Sequence, residues 1–395
     1  MNFPTSPEGW VRLQDRLRGP RIFKKDIHSH SPGLSSGDIV AVKSRDEHHI
    51  GWALWHSKSL ISARILRRGE EVPSQDWFED RARLAAERRL NDPEIPNDAF
   101  RVIHAEADDF PGLVVDRYGD TLCAEAYTTS VEKIWDVIHP VLHEVLGTSR
   151  HRLVMDKASA QAEGESVFQK VSPGFPDRLH IEEHGIRWEL DMKASHKTGF
   201  FCDQRDNRKR VQELVRNLKN QGRTVRVLDI CTYTGGFALN AAAGGADEVL
   251  ALDLDEVSIA QAKRNANLNG FRQVKFRHAD AFSFLRQQAA NGNLYDVVIV
   301  DPPKFIGKRR EFEEGQAKYH DINKLAIPLV VPGGIMLTCS CSGIFQQLDF
   351  QETLRRAARL RPLQILAETG AGSDHPYRLS FPEGHYLKAF WMRAD

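Results

Sequence analysis

The pattern of hydrophobic and polar positions divides the chain into three stretches. In the first, up to residue 72, short apolar runs at 38–42, 50–55 and 60–66 are separated by turn residues. Runs of this length bounded by Gly, Ser and Asp are typical of strands and turns. We therefore predict a small β-barrel over residues 1–72.

The second stretch, residues 73–190, mixes the two periodicities. Apolar residues recur at helical spacing over 74–90, where Ser74 is a candidate cap, and again over 131–146. Strand candidates lie between and after these helices, at 100–105, 113–118, 122–127, 179–182 and 186–191. This pattern predicts a linker helix and a compact α+β domain without a catalytic constellation.

From residue 191 to 395, strands alternate with helices. Expected strands are 225–230, 248–252, 274–278, 295–300 and 335–338, and expected helices include 237–243 and 257–268. Such alternation predicts parallel strands joined by helical crossovers. The fold class is therefore α/β, with a Rossmann-like C-terminal domain.

The composition of the chain indicates where the protein is located in the cell, but it says little about its function. Lys+Arg and Asp+Glu number 54 each, so net charge gives no nucleic-acid signal. No apolar run is long enough for a membrane span, and the first 21 residues lack the apolar core of a secretory signal. Five cysteines, an odd number, do not indicate a disulfide framework. We expect a cytoplasmic protein.

Acidic residues stand at three successive strand ends. Asp229 ends the strand before a glycine-containing turn at 231–237, and Asp253 and Asp280 end the next two strands. Each could simply cap a helix. Together they suit a ligand with a cation, a ribose and an adenine, for which Asp253 could accept the ribose hydroxyls. S-adenosylmethionine fits better than NAD, because the turn lacks the G-x-G-x-x-G fingerprint.

Two further motifs bring a thiol and an acid to strand ends. Residues 338–343 read Thr-Cys-Ser-Cys-Ser-Gly, about forty residues after Asp-Pro-Pro-Lys-Phe at 301–305. A thiol beside a group-transfer cofactor suggests covalent attack on an electron-poor ring. The C-x-C pair is not expected to bind metal, since no further ligand follows at zinc-type spacing.

Several segments together resemble one methyltransferase family. They are 197–208, 233–237, 301–305, 319–323, 340–343, 374–376 and 382–388, with 110–118 in the middle stretch. Members of that family join an N-terminal PUA RNA-binding domain to a class I methyltransferase and methylate cytosine C5 in large-subunit ribosomal RNA. The resemblance covers nearly the whole chain.

The resemblance implies roles for particular residues. Cys341 would be the nucleophile that adds to cytosine C6, and Asp301 would hydrogen-bond the base edge. The resemblance implies that Lys197, Phe201, Gln204 and Arg205 help to close over the cofactor. The strand-end reasoning contributes Asp229, Asp253 and Asp280, and the expected cofactor-binding set is completed by Tyr233, Thr234, Gly235 and Asp301.

Alternatives stay open at this point. Asp-Pro-Pro before an aromatic also occurs in amino-group methyltransferases, although Lys304 intervenes here, and a ring nitrogen of guanine is another target. A non-catalytic RNA-binding assembly factor is a third. Cys339 is expected to be a packing residue or a helper in product release. Arg and Lys around the first strand, with Arg64, Arg67 and Arg68, are candidates for phosphate contact. The target nucleotide, the general base, the form of the RNA substrate and a homodimeric state are not decided by the sequence.

Overall fold

The computed structural model describes residues 8–95, 98–193 and 197–395. The chain divides into two compact units, and each is built from separate segments. The first contains residues 1–179, 195–200 and 373–384, and the second contains 180–194, 201–372 and 385–395. No helix among the described residues has the length and apolar character needed to cross a membrane.

The first unit begins with a six-stranded sheet in the order β2-β6-β5-β4-β1-β3. Its strands are β1 (Trp10–Leu13), β2 (Arg21–Phe23), β3 (Ile27–His30), β4 (Ile39–Lys43), β5 (His49–Trp55) and β6 (Ile61–Arg68). Small apolar side chains such as Val11, Val40 and Ala63 form its core. The predicted strands from 38 to 66 are confirmed, whereas β1 and β3 were missed.

A second sheet follows in the order β11-β10-β9-β8-β7. Its strands are β7 (Ala99–His104), β8 (Leu113–Tyr118), β9 (Thr121–Ala126), β10 (Arg150–Met155) and β11 (Gln169–Val171), with helices α1 (Gln75–Leu90), α2 (Glu132–Leu146) and α3 (Lys157–Glu163). Helix α2 makes the crossover between the parallel strands β9 and β10. The predicted cap is confirmed, because the Ser74 hydroxyl accepts a hydrogen bond from Trp77 N at 3.2 Å.

A late segment of the chain completes the first unit. The carbonyl of Asp374 accepts a hydrogen bond from Arg89 Nη2 at 3.0 Å, and its carboxylate accepts one from Arg101 N at 2.9 Å. Arg89 is also held by two 2.7 Å bonds to Asp108, and both side chains are buried. Residues near 374 are therefore part of this unit's interior.

The second unit is a seven-stranded sheet in the order β16-β15-β14-β17-β18-β20-β19. Its strands are β14 (Arg226–Ile230), β15 (Glu248–Asp253), β16 (Val274–His278), β17 (Tyr295–Val300), β18 (Val330–Ser340), β19 (Leu363–Thr369) and β20 (Lys388–Ala394). Strands β14 to β18 are parallel neighbours, whereas β20 runs antiparallel between β18 and β19. The predicted α/β alternation is confirmed.

Helices and one hairpin surround this sheet. The helices are α4 (Arg205–Asn220), α5 (Gly236–Ala243), α6 (Glu256–Leu268), α7 (Ala281–Ala290), α8 (Phe312–Ala326) and α9 (Gln347–Ala357), and the hairpin joins β12 (Arg178–Glu183) to β13 (Ile186–Asp191). Strand β14 pairs with β15 on one side and with β17 on the other. The strand order thus reverses at β14, and ligands of such sheets bind at the carboxyl ends beside that reversal.

Candidate active site

The carboxyl end of β14 enters a sharply turned loop anchored by Asp229. Residues Cys231, Tyr233 and Gly235 have φ values of 64°, 51° and 94°. Asp229 is wholly buried, and its Oδ2 accepts hydrogen bonds from Thr232 Oγ1 at 2.5 Å and Ala238 N at 3.0 Å. One carboxylate oxygen therefore fixes both the loop and the start of α5.

The other oxygen of Asp229 is available for a ligand. Oδ1 is buried and has no hydrogen-bond partner among the described residues. Burial raises the pKa of Asp229 to about 7, and its hydrogen bonds to Thr232 and Ala238 oppose that rise. A cationic donor placed at Oδ1 would stabilise the carboxylate.

The two other strand-end acids lie on the same side of the sheet as this loop. Asp253 accepts hydrogen bonds from Tyr233 N at 2.8 Å and Asp255 N at 2.9 Å, which ties the β15 end to the loop. Asp280 is exposed and caps α7 by accepting from Ser283 N at 2.9 Å. Helix capping, the alternative role considered for the strand-end acids, is therefore present at Asp280, where it occupies one of the two carboxylate oxygens.

The thiol of Cys231 shows that these acids share one region. Burial is the largest cause raising its pKa, and the charges of Asp253, Asp301, Asp229 and Asp280 each raise it further. All four carboxyl groups therefore lie within electrostatic reach of one atom at the carboxyl edge of the sheet. Thr234, which is buried, and Gly235 belong to the same loop.

Asp301 follows β17, next to the end of β14. Its backbone N donates to Ile230 O at 3.3 Å, and its Oδ2 accepts from Gln204 Nε2 at 3.1 Å. Its pKa is raised to about 8, chiefly by burial and then by the carboxylates of Asp203 and Asp229. The residue is partly accessible, yet its carboxyl is mainly protonated at neutral pH and can donate a hydrogen bond.

The segment before α4 supplies further side chains. The rings of Phe201 and Tyr233 meet edge to face, with centroids 4.9 Å apart. Gln204 is oriented by Asn207, whose Nδ2 donates to Gln204 Oε1 at 2.7 Å. Arg205 is fully buried, and its Nε donates to Asp206 Oδ1 at 2.9 Å.

Lys197 is the one proposed cofactor residue in the first unit. Its positive charge acts on Glu125 of β9, which belongs to that unit as well. The remaining proposed residues belong to the second unit. All of them lie at or contact the carboxyl edge of the sheet except Arg205, whose buried side chain bonds Asp206 instead.

Cys341 comes directly after β18 and is partly accessible, whereas Cys339 is wholly buried. Burial raises the pKa of Cys339 well above its usual value, Asp301 raises it further, and a hydrogen bond with Gln204 opposes the rise. Cys339 therefore lies beside the pair formed by Gln204 and Asp301, and Cys341 is two residues further along. Of the two thiols, Cys341 is the one a substrate can reach.

A buried lysine that sequence reasoning did not single out lies near Cys341. Lys388 Nζ donates to Ser342 O at 2.7 Å and to Tyr386 O at 2.8 Å. Burial lowers the pKa of Lys388 to about 8, and the Cys341 charge acts in the opposite direction. The signal was its position in the 382–388 segment, which carries the family resemblance.

Tyr319 packs against the loop that follows β18 and carries Cys341. Its hydroxyl shares a 2.9 Å hydrogen bond with Ser342 Oγ, which also accepts from Ile306 N at 3.2 Å. Its ring packs edge to face on Phe305, with centroids 4.9 Å apart. These contacts join the loop after β18 to the segment after β17.

A second buried contact missed from the sequence holds Phe201. Arg208 makes 2.6 and 2.7 Å bonds to both carboxylate oxygens of Glu183 on β12, and both side chains are almost completely buried. Arg208 Nη1 also donates to Phe201 O at 2.8 Å. The hairpin thereby fixes the backbone that carries Phe201.

Comparisons with known proteins agree with this geometry. An S-adenosylmethionine-dependent methyltransferase family matches residues 146–374, and a PUA-like domain matches residues 16–68. Ribosomal RNA large subunit methyltransferase I of Aeromonas salmonicida strain A449 is 35% identical over 389 residues, covering 95% of this chain and 96% of that protein. The protein of the same name from Shewanella frigidimarina strain NCIMB 400 is 35% identical over 390 residues, with 95% and 96% covered.

Solved structures support the fold. A protein described as a SAM-dependent methyltransferase from Streptococcus mutans superposes with a TM-score of 0.80 at 18% identity, covering 97% of this chain and 100% of that chain. Another structure, described as a methyltransferase complexed with SAH, has a TM-score of 0.80 at 19% identity, with 95% of both chains covered.

The acceptor groups at the carboxyl edge of the sheet fit the cofactor that this family uses. S-adenosylmethionine carries an ammonium group and ribose hydroxyls, all donors, and the loop offers the buried Asp229 Oδ1 and the carboxylate of Asp253 as acceptors. Match and site chemistry together confirm the predicted fold, cofactor and enzyme class: the chain belongs to the S-adenosylmethionine-dependent methyltransferase family and carries a PUA-like domain near its N-terminus.

Proposed function

We propose that the enzyme methylates C5 of a cytosine in large-subunit ribosomal RNA, with Cys341 as the covalent nucleophile. The names of its curated relatives support the RNA substrate. The observation that carries the mechanism is the partly accessible thiol of Cys341, near a buried lysine and two residues from Cys339, which hydrogen-bonds Gln204 and lies within electrostatic reach of Asp301. We also propose the cytoplasm as its location.

The chemistry of cytosine explains the need for a thiol. C5 is a weak nucleophile, and addition of the Cys341 thiolate to C6 makes it enamine-like. Bound S-adenosylmethionine supplies an electrophilic methyl group. After methyl transfer to C5, loss of the C5 proton returns its electron pair to the ring and expels the thiolate from C6.

Two residues would support the addition. Asp301, protonated at neutral pH, would donate its O–H to N3 and accept from the N4 amino group, so that charge on the ring is stabilised as C6 is attacked. Lys388 would favour the thiolate over the thiol because its cation is held buried nearby.

The cofactor roles rest on placement at the carboxyl edge of the sheet. We propose that Asp229 holds the ammonium group, that Asp253 accepts from the ribose hydroxyls and that Asp280 meets the adenine. Phe201 and Tyr233 would pack against the cofactor. The other proposed contacts are Lys197, Gln204, Arg205, Thr234, Gly235 and Asp301. Domain boundaries at 72 and 190 also stand as a proposal.

The decisive experiment compares two neighbouring cysteines. Cys341→Ala should abolish methylation of ribosomal RNA, whereas the matched Cys339→Ala should retain it, with product nucleosides read by mass spectrometry. RNA carrying 5-fluorocytosine should trap a covalent adduct with the wild-type enzyme, because fluorine at C5 cannot leave as a proton. Full methylation by Cys341→Ala would exclude this mechanism, and a methylated amino or ring nitrogen would favour the alternative chemistry.

The oligomeric state is a separate question. Light scattering of the purified chain distinguishes a monomer from a homodimer.

A further inference from the structure

Three histidines gather in the first unit, in residues that the proposed methyl transfer does not use. His139 and His143 are one turn apart on α2, and His151 is on β10. One ring nitrogen of each lies within 4.8 Å of the others. The ring centroid of His151 is 4.3 Å from that of His139 and 5.2 Å from that of His143. Residues four apart share a helix face, which is why the strand histidine meets both.

The hydrogen bonds of the cluster include one between His143 and His151, whose shared proton a metal ion would replace. His143 Nδ1 and Thr148 Oγ1 are 2.8 Å apart, and His143 Nε2 and His151 Nδ1 are 2.9 Å apart. If Nδ1 of His143 donates to Thr148, its Nε2 is the acceptor that faces the cluster. Nδ1 of His139 is buried and has no hydrogen-bond partner among the described residues.

The surroundings of the cluster are partly shielded from water, because all three histidines are partly buried. The indole of Trp135 lies against the cluster, 5.6 Å from the centroids of both His139 and His151.

We propose that His139, His143 and His151 form a binding site for a divalent transition-metal ion of the Zn²⁺ class, with water as the fourth ligand. Zn–N bonds of about 2.0–2.1 Å in a tetrahedron place two ligand nitrogens about 3.3 Å apart. The nitrogens of His143 and His151 are 2.9 Å apart, and the ligand nitrogens of all three histidines lie within 4.8 Å of one another. Small side-chain rotations would complete the site, and Thr148 would hold His143 in the required tautomer.

Such a site would join α2 to β10. Helix α2 is the crossover that leads from β9 to β10, so it is already connected to β10 by the chain. The metal would add a second link between the two elements. Its role would therefore be structural, independent of Cys341.

The test uses the full-length, tag-free protein after treatment with a chelator. Titration with Zn²⁺ in a calorimeter should show one ion per chain, and Co²⁺ should give the visible absorption of a tetrahedral site without a thiolate charge-transfer band. Zn²⁺ should also raise the thermal midpoint of the wild type. His143→Gln should weaken binding at least about tenfold.

Two controls separate this site from other ligands. His180→Gln removes a histidine that is exposed and pairs with Glu189, and Cys341→Ala removes the accessible thiol. Both should bind metal like the wild type. His139→Gln repeats the test with a second ligand if His143→Gln fails to fold, as judged by circular dichroism. Undiminished binding in either folded histidine variant, or no binding at about 100 µM Zn²⁺, would overturn the proposal.

Discussion

At the scale of single residues, the site depends on ionisable groups held away from water. Asp301 and Lys388 have pKa values shifted to about 8 from opposite directions, and burial is the largest cause for both. Near neutral pH the carboxyl of Asp301 is therefore mainly neutral, whereas the amine of Lys388 is mainly charged. Together with Asp229, whose pKa is raised to about 7, these side chains should determine how the enzyme responds to pH.

Asp301 should make the protein less stable as pH rises. Its folded pKa of about 8 is above the unfolded value of 3.8, so the folded state binds the extra proton between those values. The contribution of this group to stability should be fully present below about pH 4 and be lost progressively as pH rises to about 8, by no more than about 1.4 kcal/mol per pH unit. Asp301→Asn should flatten the unfolding free energy measured from pH 5 to 8. An unchanged slope would contradict this assignment.

Lys388 should govern the pH dependence of methyl transfer. Lys388→Met removes the cation near the thiol, so the rate at pH 7 should fall about tenfold for each unit by which the thiol pKa rises. Lys388→Arg keeps the charge and should retain more activity. Single-turnover rates over pH give the comparison, in which the Met variant should recover at high pH. Parallel pH profiles for both variants would argue for a purely structural lysine.

At the scale of elements, the strands most readily predicted from the sequence were those with a continuous run of apolar residues. Strands β14 and β17 are buried runs that end near the predicted positions, since strands covered on both faces read as continuous apolar segments. Strand β19 was missed because most of its residues are partly or fully exposed, and β10 because it begins Arg-His-Arg. No local sequence pattern predicts these two strands.

The candidate site shows the same division. The strand-end acids were found because topology places them, and Cys341 because of the resemblance. Lys388 and Arg208 lie in segments that carry the resemblance, but their roles, and that of Glu183, are defined by contacts between residues distant in the chain. The histidine cluster had a visible H-x-x-x-H spacing on α2, but its third member comes from β10.

The pair of Glu183 with Arg208 should stabilise the second unit strongly. Removing one partner of a buried ion pair leaves an uncompensated charge, which costs about 3–5 kcal/mol. Glu183→Gln should therefore lower the unfolding free energy by about 3 kcal/mol and raise the KM for S-adenosylmethionine, because Arg208 also holds the Phe201 backbone. Denaturant titration measures the first effect.

The matched control is Arg264→Met. Arg264 pairs with Glu189 at 3.2 Å but is 39% exposed, and exposed pairs contribute less than about 1 kcal/mol. Equal losses in the two variants would show that burial of the Glu183 pair has no special effect.

At the scale of the whole molecule, charge is balanced overall but uneven locally. The exposed basic residues of the first sheet and its connections include Arg16, Lys24, Lys25 and Arg68. Arg64, in contrast, is buried and pairs with Glu163. The phosphate-contacting surface expected from the sequence thus loses Arg64, while the exposed residues stay candidates.

Replacing Lys24 and Lys25 together by Gln should weaken RNA binding for all sequences alike. If each lysine contacts one phosphate, the slope of log affinity against log salt should fall by about 0.7–0.9 per contact. The control pair is Lys219→Gln with Lys275→Gln, which loses the same charge from lysines already paired with Asp247 and Glu248. Filter binding at several salt concentrations gives the slopes, and equal slopes for both pairs would exclude this surface.

The interior place of Asp374 has a consequence for the order of synthesis. Residues 373–384 belong to the first unit, and Arg89 and Arg101, which precede Asp374 by 285 and 273 residues, depend on it for hydrogen bonds. During translation the earlier sheets of this unit emerge before Asp374, so those two bonds form only after residue 374 has left the exit tunnel. An early part of this unit is therefore completed by a much later part of the chain.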